Sequence, residues 1–275
     1  MLSSASYWIL SKYILLEKTL NANLKTYELA HSVTAIYKFL WDDYANWYLE
    51  FLKTSEGDIS FGKNLFRQFA ITSSPYCPFE TEVLWRDFFG EKELLATTVK
   101  DSNWSSKAMD LYFGYPDVEH SKSDQRYIEF ESIVTFISSI RSLKGLFAID
   151  PAVQVQIYSS SALLIQYNSY IKLLARVEIN KENKPILYEV CNKNFTYQVD
   201  ILSYIKDKGF EINRTNKLIE SLNKQILQLE SQLANQKFVT NADPETVNEK
   251  QLDLRARKLE LQDQLGKESF LKSYV

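Results

Sequence analysis

The tightest constraint on the fold lies towards the end of the sequence. Ile212, Thr215, Ile219, Leu222, Ile226, Leu229, Leu233 and Gln236 follow one another at alternating steps of three and four residues. That spacing is a heptad seam, and it demands a long helix packed along one stripe against a partner helix. After the interruption NQKFVTNADPE (235–245), a second helix is predicted from about Pro244. Asp243 can cap it, and Pro244 suits the first helical position. Its apolar residues form one stripe of Val247, Leu254, Leu261 and Leu265, and another of Leu252, Ala256 and Leu259. The interruption is short, so the expected form is an antiparallel hairpin, with Phe238 and Val239 plugging its tip. A helix of about 24 residues spans about 36 Å.

The preceding chain reads as two further parts. Residues 6–54 are expected as two helices, the second starting around Thr26 and carrying KFLWDDYANWYLEF (38–51). On a 3.6-residue wheel, Ile36, Leu40, Tyr44, Trp47, Tyr48 and Phe51 share a broad face with Tyr37, Trp41 and Leu52. Asp42, Asp43, Asn46, Glu50 and Lys53 fall opposite. A wide apolar face with a polar back is a core helix, so these aromatics are expected as core. Asp42 and Asp43 are expected on the polar back, docking neighbouring helices. SEGDIS (55–60) is a connector, and 61–73 resumes a helical pattern. Two prolines in SSPYCPFETEVLW (73–85) break it before a fresh helix.

Residues 92–116 read as irregular, and a long helix is predicted from Asp124 to about Phe147, stopped by Asp150–Pro151. The period then changes. VQVQIYS (153–159) alternates like a strand, ALLIQYNSYIKLLARV (162–177) like a helix, and PILYEV (185–190) with NFTYQVD (194–200) like a β-hairpin. The expected fold class is mainly α: a helix bundle over 1–150, a small α+β junction over 151–203, and a C-terminal antiparallel coiled-coil hairpin over 204–275.

Composition narrows the function. Seven glycines in 275 residues leave little material for a phosphate loop, and neither GxGxxG nor a Walker-type stretch occurs. Two histidines, His31 and His120, supply no metal cluster, and no nucleophile motif accompanies them. Cys77 and Cys191 lack CxxC spacing and are expected as buried or half-buried thiols in a reducing compartment. The formal net charge of −3 taken alone argues weakly against a nucleic-acid binder, which more often carries a basic excess, but does not exclude one, because a local basic face is enough. No apolar run reaches the ~18 residues of a membrane span. No signal peptide is read at the N-terminus, so the expected location is cytoplasmic.

Several stretches resemble the C-terminal part of bacterial-type valyl-tRNA synthetase, a class I aminoacyl-tRNA synthetase. WILSK (8–12) is similar to the opening of that family's anticodon-binding bundle, and FLWDDYANWYLE (39–50) to a segment ending in W-Y-x-E. PYCPFETEVLW (75–85) resembles its P-x-x-P-F-x-T-E-x-L-W turn, which other class I synthetases share, and IRSLK (140–144) its I-R-x-L-R/K helix end. LANQKFVTNADPETVNEK (233–250) resembles the turn of its C-terminal coiled coil, a motif more specific to the valyl enzymes. The likenesses follow the family's order over nearly the whole chain. Ala45–Asn46 depart from the usual Cys before D-W-Y, and Ser74 from the usual His before the proline turn.

The resemblance implies a tRNA-binding module: the bundle receives the anticodon stem-loop and the coiled coil leans on the outer corner of the tRNA. The implied partner is tRNA, specifically tRNA(Val), with a separate catalytic chain as a further partner and no membrane. The family's H-I-G-H-like and K-M-S-K-S-like motifs do not occur in this sequence. No catalytic residue is therefore assigned and no cofactor is expected on this chain; ATP and Mg belong to the catalytic part. The expectation is a fragment, split subunit or truncated product. The candidate tRNA contacts are Lys12, Lys63, Asn64, Arg67 and Gln68 in the bundle, with Arg141 and Lys144 as a second group. Tyr7 and Trp8 are candidate stacking residues, with core packing as the alternative. In the hairpin they are Lys206, Lys208, Arg214, Lys217 and Lys224, with Arg255, Arg257 and Lys258 on the return helix. Two other readings stand beside this one: the matching module of an isoleucyl- or leucyl-type synthetase, and a coiled-coil interaction adaptor.

Overall fold

The computed structural model describes residues 3–54, 59–90, 124–180, 188–191 and 195–274. The expected irregular stretch 92–116, most of the 55–60 connector, the turn 192–194 and His120 lie outside the described residues. The chain divides into two compact units. One comprises Met1–Phe136 with Leu163–Leu174, the other Ile137–Ala162 with Ala175–Val275.

The first unit is helical. Helix α1 (Ser4–Thr26) starts where the Ser3 side chain accepts from the Ser6 N–H, and ends at Tyr27, whose φ of 61° is left-handed. Along residues 5–11 it is buried all round, which makes it the central rod. Helix α2 (Leu29–Lys38) runs without a break into a π-helical segment, Phe39–Tyr48, and then α3 (Leu49–Leu52). Helix α4 (Ile59–Ser73) is followed by the proline turn and α5 (Pro78–Leu84), with Pro78 in its first turn, and a π-helical turn at Trp85–Phe89.

The π-helical segment corrects the wheel. Its bonds run from i to i+5, so residues five apart share a side. Phe39 and Tyr44 therefore both point inward, with ring centroids 6.3 Å apart. Phe39, absent from the predicted face, is 3% exposed, whereas Tyr37 and Trp41, expected as core, are 63% and 55% exposed. Tyr44, Tyr48 and Phe51 are core as predicted. The inward tyrosines find partners: Tyr44 donates to the Gly62 carbonyl at 2.9 Å, and the Tyr48 and Ser6 hydroxyls share a hydrogen bond of 2.9 Å. Phe51 sits in an aromatic cluster with Trp8, Phe130 and Tyr170, at 6.2, 4.8 and 5.4 Å.

The second unit carries a four-stranded mixed sheet, β1 (Val155–Tyr158), β2 (Val177–Asn180), β3 (Tyr188–Cys191) and β4 (Thr196–Val199), in the order β2-β1-β4-β3. Strands β3 and β4 pair antiparallel as the hairpin reading expects, and β1 pairs antiparallel with β4. The predicted 162–177 helix is instead two short helices, α7 (Ala162–Gln166) and α8 (Asn168–Ala175), whose residues Leu163–Leu174 belong to the first unit. They are followed by β2, parallel to β1 with Val155 opposite Val177. A four-residue strand is too short to announce its period. The helix between Gln125 and Leu146, α6, contributes its first half to the first unit and its second half to this one. It ends at a left-handed Ala148 (φ 52°), before the Asp150–Pro151 stop that the sequence suggested.

After a 3-10 turn at Leu202–Tyr204, the hairpin begins. Helix α9 (Lys208–Ala234) is capped by Asp207, which accepts from the Phe210 N–H at 2.8 Å. A short helix, α10 (Gln236–Asn241), turns the chain into α11 (Pro244–Lys272). Thr215, Leu222, Ile226 and Leu229 are buried in the seam as predicted. On α11 the seam follows Val247, Leu254 and Leu261, all half-buried, and then Gln264 and Leu271. Leu265 and the second predicted stripe, Leu252 and Leu259, face outward at 46%, 53% and 64% exposure. At the tip Phe238 is half-buried and Val239 exposed. Asp243 occupies the N-cap position without a capping bond from its side chain.

Candidate nucleic-acid interface

The residues selected as surface contacts divide sharply once placed. Tyr7 and Trp8 are core, each 1% exposed. Tyr7 donates to Asp124 at 2.8 Å and lies under the Arg126 guanidinium, 3.9 Å from its ring centre. The Trp8 indole N–H donates to Glu131. Lys12, one turn on, is half-buried between Asp43 at 3.6 Å and Glu131 at 3.2 Å. Burial pushes the Lys12 pKa down, but the two carboxylates outweigh it and hold the ammonium above its ordinary value. Burial raises Asp43, against the pull of Lys12. Asp43 thus docks a neighbouring helix as expected, and Lys12 is a bond within the bundle, not a free surface cation. Asp42 is exposed.

On α4, Lys63 and Asn64 are exposed, but Gln68 is 6% exposed because it shares the inward face of Phe61, Leu65 and Phe69. Arg67 is half-buried, with its guanidinium 4.9 Å from the Trp85 ring centre. In the second unit Arg141 is exposed. Lys144 is 4% exposed, and its ammonium donates to the carbonyls of Val153 (2.7 Å), Ala175 (2.8 Å), Pro151 (3.3 Å) and Arg176 (3.3 Å). Burial, with Arg176 and Arg141 nearby, lowers its pKa. The expectation that Gln68 and Lys144 reach solvent is therefore overturned.

In the hairpin Lys206, Arg214, Lys217, Lys224 and Arg255 are exposed. Arg214 lies 3.4 Å from Glu211, and Lys208 reaches the Tyr274 carbonyl at 3.3 Å. Arg257 is half-buried between Asp253 (3.3 Å) and Glu260 (3.1 Å), and Lys258 bridges to Glu230 on α9 at 2.7 Å. Such exposed pairs contribute little to stability, and a phosphate can compete for these cations. His31 is exposed beside Glu28 at 3.4 Å. Cys77 is half-buried, and burial together with Glu80 pushes its thiol pKa up. The side chain of Cys191 lies outside the described set. Among the described residues no group of His, Cys, Asp and Glu could hold a metal ion, and no helix is long and apolar enough to cross a membrane.

Sequence reasoning missed one feature, on the outer side of the first unit. Tyr37 and Trp41 stack on each other with centroids 6.4 Å apart and planes 15° from parallel. Beside them Trp41, Leu49, Ile59, Phe66 and Phe88 line an open apolar groove of about 510 Å3, with Lys63 among its walls. Trp41, Leu49, Ile59 and Phe88 are each more than two-fifths exposed. Large aromatics left in water beside a cation form a surface on which flat, anionic ligands can stack. The one available signal was the i, i+4 spacing of Tyr37 and Trp41, which the wheel assigned to the core.

A family model described as the anticodon-binding domain of tRNA ligase matches residues 6–159, more than half of the chain. The chain belongs to that family. Its similarity to curated proteins extends further. The chain is 28% identical over 261 residues to a valine–tRNA ligase of a Nitratiruptor species, covering 94% of this chain. It is 24% identical to one from Borreliella burgdorferi and 25% identical to one from Mycoplasmopsis pulmonis, covering 89% and 96% of this chain. The chain spans only 28–29% of the length of these relatives. The family match runs from within α1 to the end of β1 and includes the exposed Tyr37–Trp41 stack and Lys63; the similarity to the ligases also takes in most of the hairpin.

Proposed function

We propose that this chain is the tRNA-holding C-terminal portion of a valine–tRNA ligase, and that its partner is tRNA(Val). The observation that carries the reading is the exposed Tyr37–Trp41 stack beside the apolar groove and Lys63, within the part of the chain that matches the anticodon-binding family. Anticodon bases are single-stranded and can be splayed onto aromatic faces, and each base stacked this way is worth ~1–3 kcal/mol. In this reading Lys63, which lines the groove, and the exposed Lys38 supply the positive charge that neutralises the loop phosphates. The hairpin, whose 27-residue α9 is about 40 Å long, supplies a second contact through Lys217, Lys224 and Arg255. Joining valine to tRNA with ATP and Mg is work for a catalytic part outside these residues, on the same polypeptide or a separate chain.

Binding of the purified chain to tRNA with a valine anticodon, against a non-cognate tRNA, at two salt concentrations, tests the proposal. The expected result is tighter, salt-sensitive binding to the valine tRNA. Trp41→Ala is expected to weaken it roughly 5- to 150-fold with no loss of stability. Lys63→Ala is expected to lower the salt slope by about one. Equal binding of both tRNAs, or an unaffected W41A, refutes this placement of the anticodon.

A further inference from the structure

One buried cation in the second unit is not accounted for by tRNA contact. Lys267, on α11, is 1% exposed, and Glu211, on the first turns of α9, is 7% exposed. The Lys267 ammonium donates to Glu211 at 2.6 Å and to the Leu146 carbonyl at 2.6 Å, and lies 5.5 Å from the ring centre of Phe147. The ammonium thus lies among a carboxylate, a carbonyl and an aromatic ring. The Leu146 carbonyl belongs to the last turn of α6, where carbonyls lack helical partners and the helix dipole is negative. A single side chain therefore joins both helices of the hairpin to the end of a third. Glu211 is held in turn: Arg214 lies 3.4 Å from it. Against this junction Phe147, Tyr188 and Phe270 pack edge to face at 5.1, 4.9 and 6.1 Å, tying the sheet to the same spot.

We infer that Lys267 is a positioning residue, which fixes the direction in which the hairpin leaves the sheet and so sets where its tip meets tRNA. The physical ground is that aromatic contacts tolerate sliding, whereas a buried ammonium tolerates only positions that keep its hydrogen bonds. A tilt of the hairpin about its root moves Lys267 away from the Leu146 carbonyl, while Glu211, on α9, moves with the hairpin and holds the ammonium in place within it. The consequence for tRNA rests on the function proposed above; the consequence for hairpin direction does not.

The test uses the full chain with spin labels at Glu178 in β2 and Asn241 at the hairpin tip, attached through bio-orthogonal side chains that leave both cysteines alone. The unaltered chain is expected to give one narrow distance distribution. Lys267→Met keeps the apolar stem and removes the ammonium, and is expected to broaden that distribution while helical content is kept. Glu211→Gln, which keeps an acceptor for the ammonium, is expected to broaden it less. An unchanged narrow distribution in K267M overturns the proposal, since the aromatic packing then sets the direction alone. Should K267M fail to fold, Lys267→Gln, too short to reach both Glu211 and the Leu146 carbonyl, takes its place: no broadening there overturns the proposal as well. tRNA binding is read separately. K267M is expected to weaken full-length tRNA about tenfold and to leave an isolated anticodon stem-loop unaffected. A broadened distribution with full-length tRNA binding unchanged overturns the hairpin's role in tRNA binding, while direction-setting by Lys267 stands.

Discussion

Replacing Lys144 by Met separates a structural cation from a binding one. The Lys144 ammonium sits among four carbonyls, two of them at 2.7 and 2.8 Å. Hydrogen bonds from a charged donor are worth ~1.5–3 kcal/mol each, so the two short ones amount to roughly 3–6 kcal/mol. Methionine fills much of the same space and relieves the burial of a charge, which returns part of that sum. The carbonyls of Val153 and Ala175 meanwhile lose their ammonium donor. A net loss of about 2–4 kcal/mol is expected, concentrated where Lys144 ties the 150–153 turn to the Ala175 and Arg176 carbonyls that lead into β2. Two compact units need not unfold together, so a local readout is required. Amide exchange at Val155 provides one, because its N–H donates to the Arg176 carbonyl at 2.9 Å, beside the ammonium. Its protection is expected to fall in K144M and to hold in Arg141→Ala, whose side chain is exposed. A K144M stability within ~0.5 kcal/mol of the unaltered chain, the range of ordinary surface changes, refutes the reasoning.

Three further outcomes are expected. Gly62→Ala should destabilise the first unit by about 1–2 kcal/mol by urea unfolding, despite the helix propensity gained, because the new Cβ meets Leu52 at 3.1 Å and the rigid, buried Tyr48 ring at 3.2 Å; a gain in stability would show that the α4 contact is looser. Phe51→Ala removes a ring at 0% exposure from an aromatic cluster and should cost ~3–5 kcal/mol in the same assay; a cost under ~1 kcal/mol contradicts the packing. Burial pushes the pKa of Tyr44 and of Tyr197 up to about 12 from 10.0. Between these values the unfolded chain has lost the phenolic proton that the folded chain keeps, so stability is fully present below pH 10 and falls as pH rises, by roughly 2 kcal/mol per tyrosine near pH 12. A tyrosinate absorbance titration with every tyrosine ionising near pH 10 in the folded chain contradicts this.

The long elements were legible because their patterns repeat. The α9 seam and the 125–146 helix carry several turns of apolar residues, and no strand or loop reproduces that spacing. What escaped was decided by contacts between residues far apart in the sequence. Lys144 and Lys267 look like ordinary solvated side chains, yet their environment is supplied across the fold, whereas Gln68 was misplaced on its own helix, seven residues from Phe61 on the inward face. Lys144 finds carbonyls up to 32 residues away, and Lys267 finds one 121 residues away. Nothing local to a lysine reports such a carbonyl cage, so an exposure argument from sequence places it outside by default.

The aromatic stretch failed differently, through its period. Residues 38–51 hold more large rings than one face of a bundle helix can bury, and a 3.6-residue wheel assigns the surplus by angle alone. The chain resolves the surplus by widening the helix. With an i to i+5 register, Phe39 joins Tyr44 and Tyr48 inside, where Gly62 and Ser6 answer the two hydroxyls. Tyr37 and Trp41 then remain outside, stacked on each other. Exposing two such rings forgoes burial that would stabilise the bundle, at ~25 cal/mol per Å2 of apolar surface. The core is already filled by their neighbours, so the cost is explained if a ligand covers them. Base stacking of ~1–3 kcal/mol per nucleotide is of the size needed. The change of register therefore completes the core with Phe39, while Tyr37, in the preceding α2, and Trp41 form the surface on which the proposed anticodon contact depends.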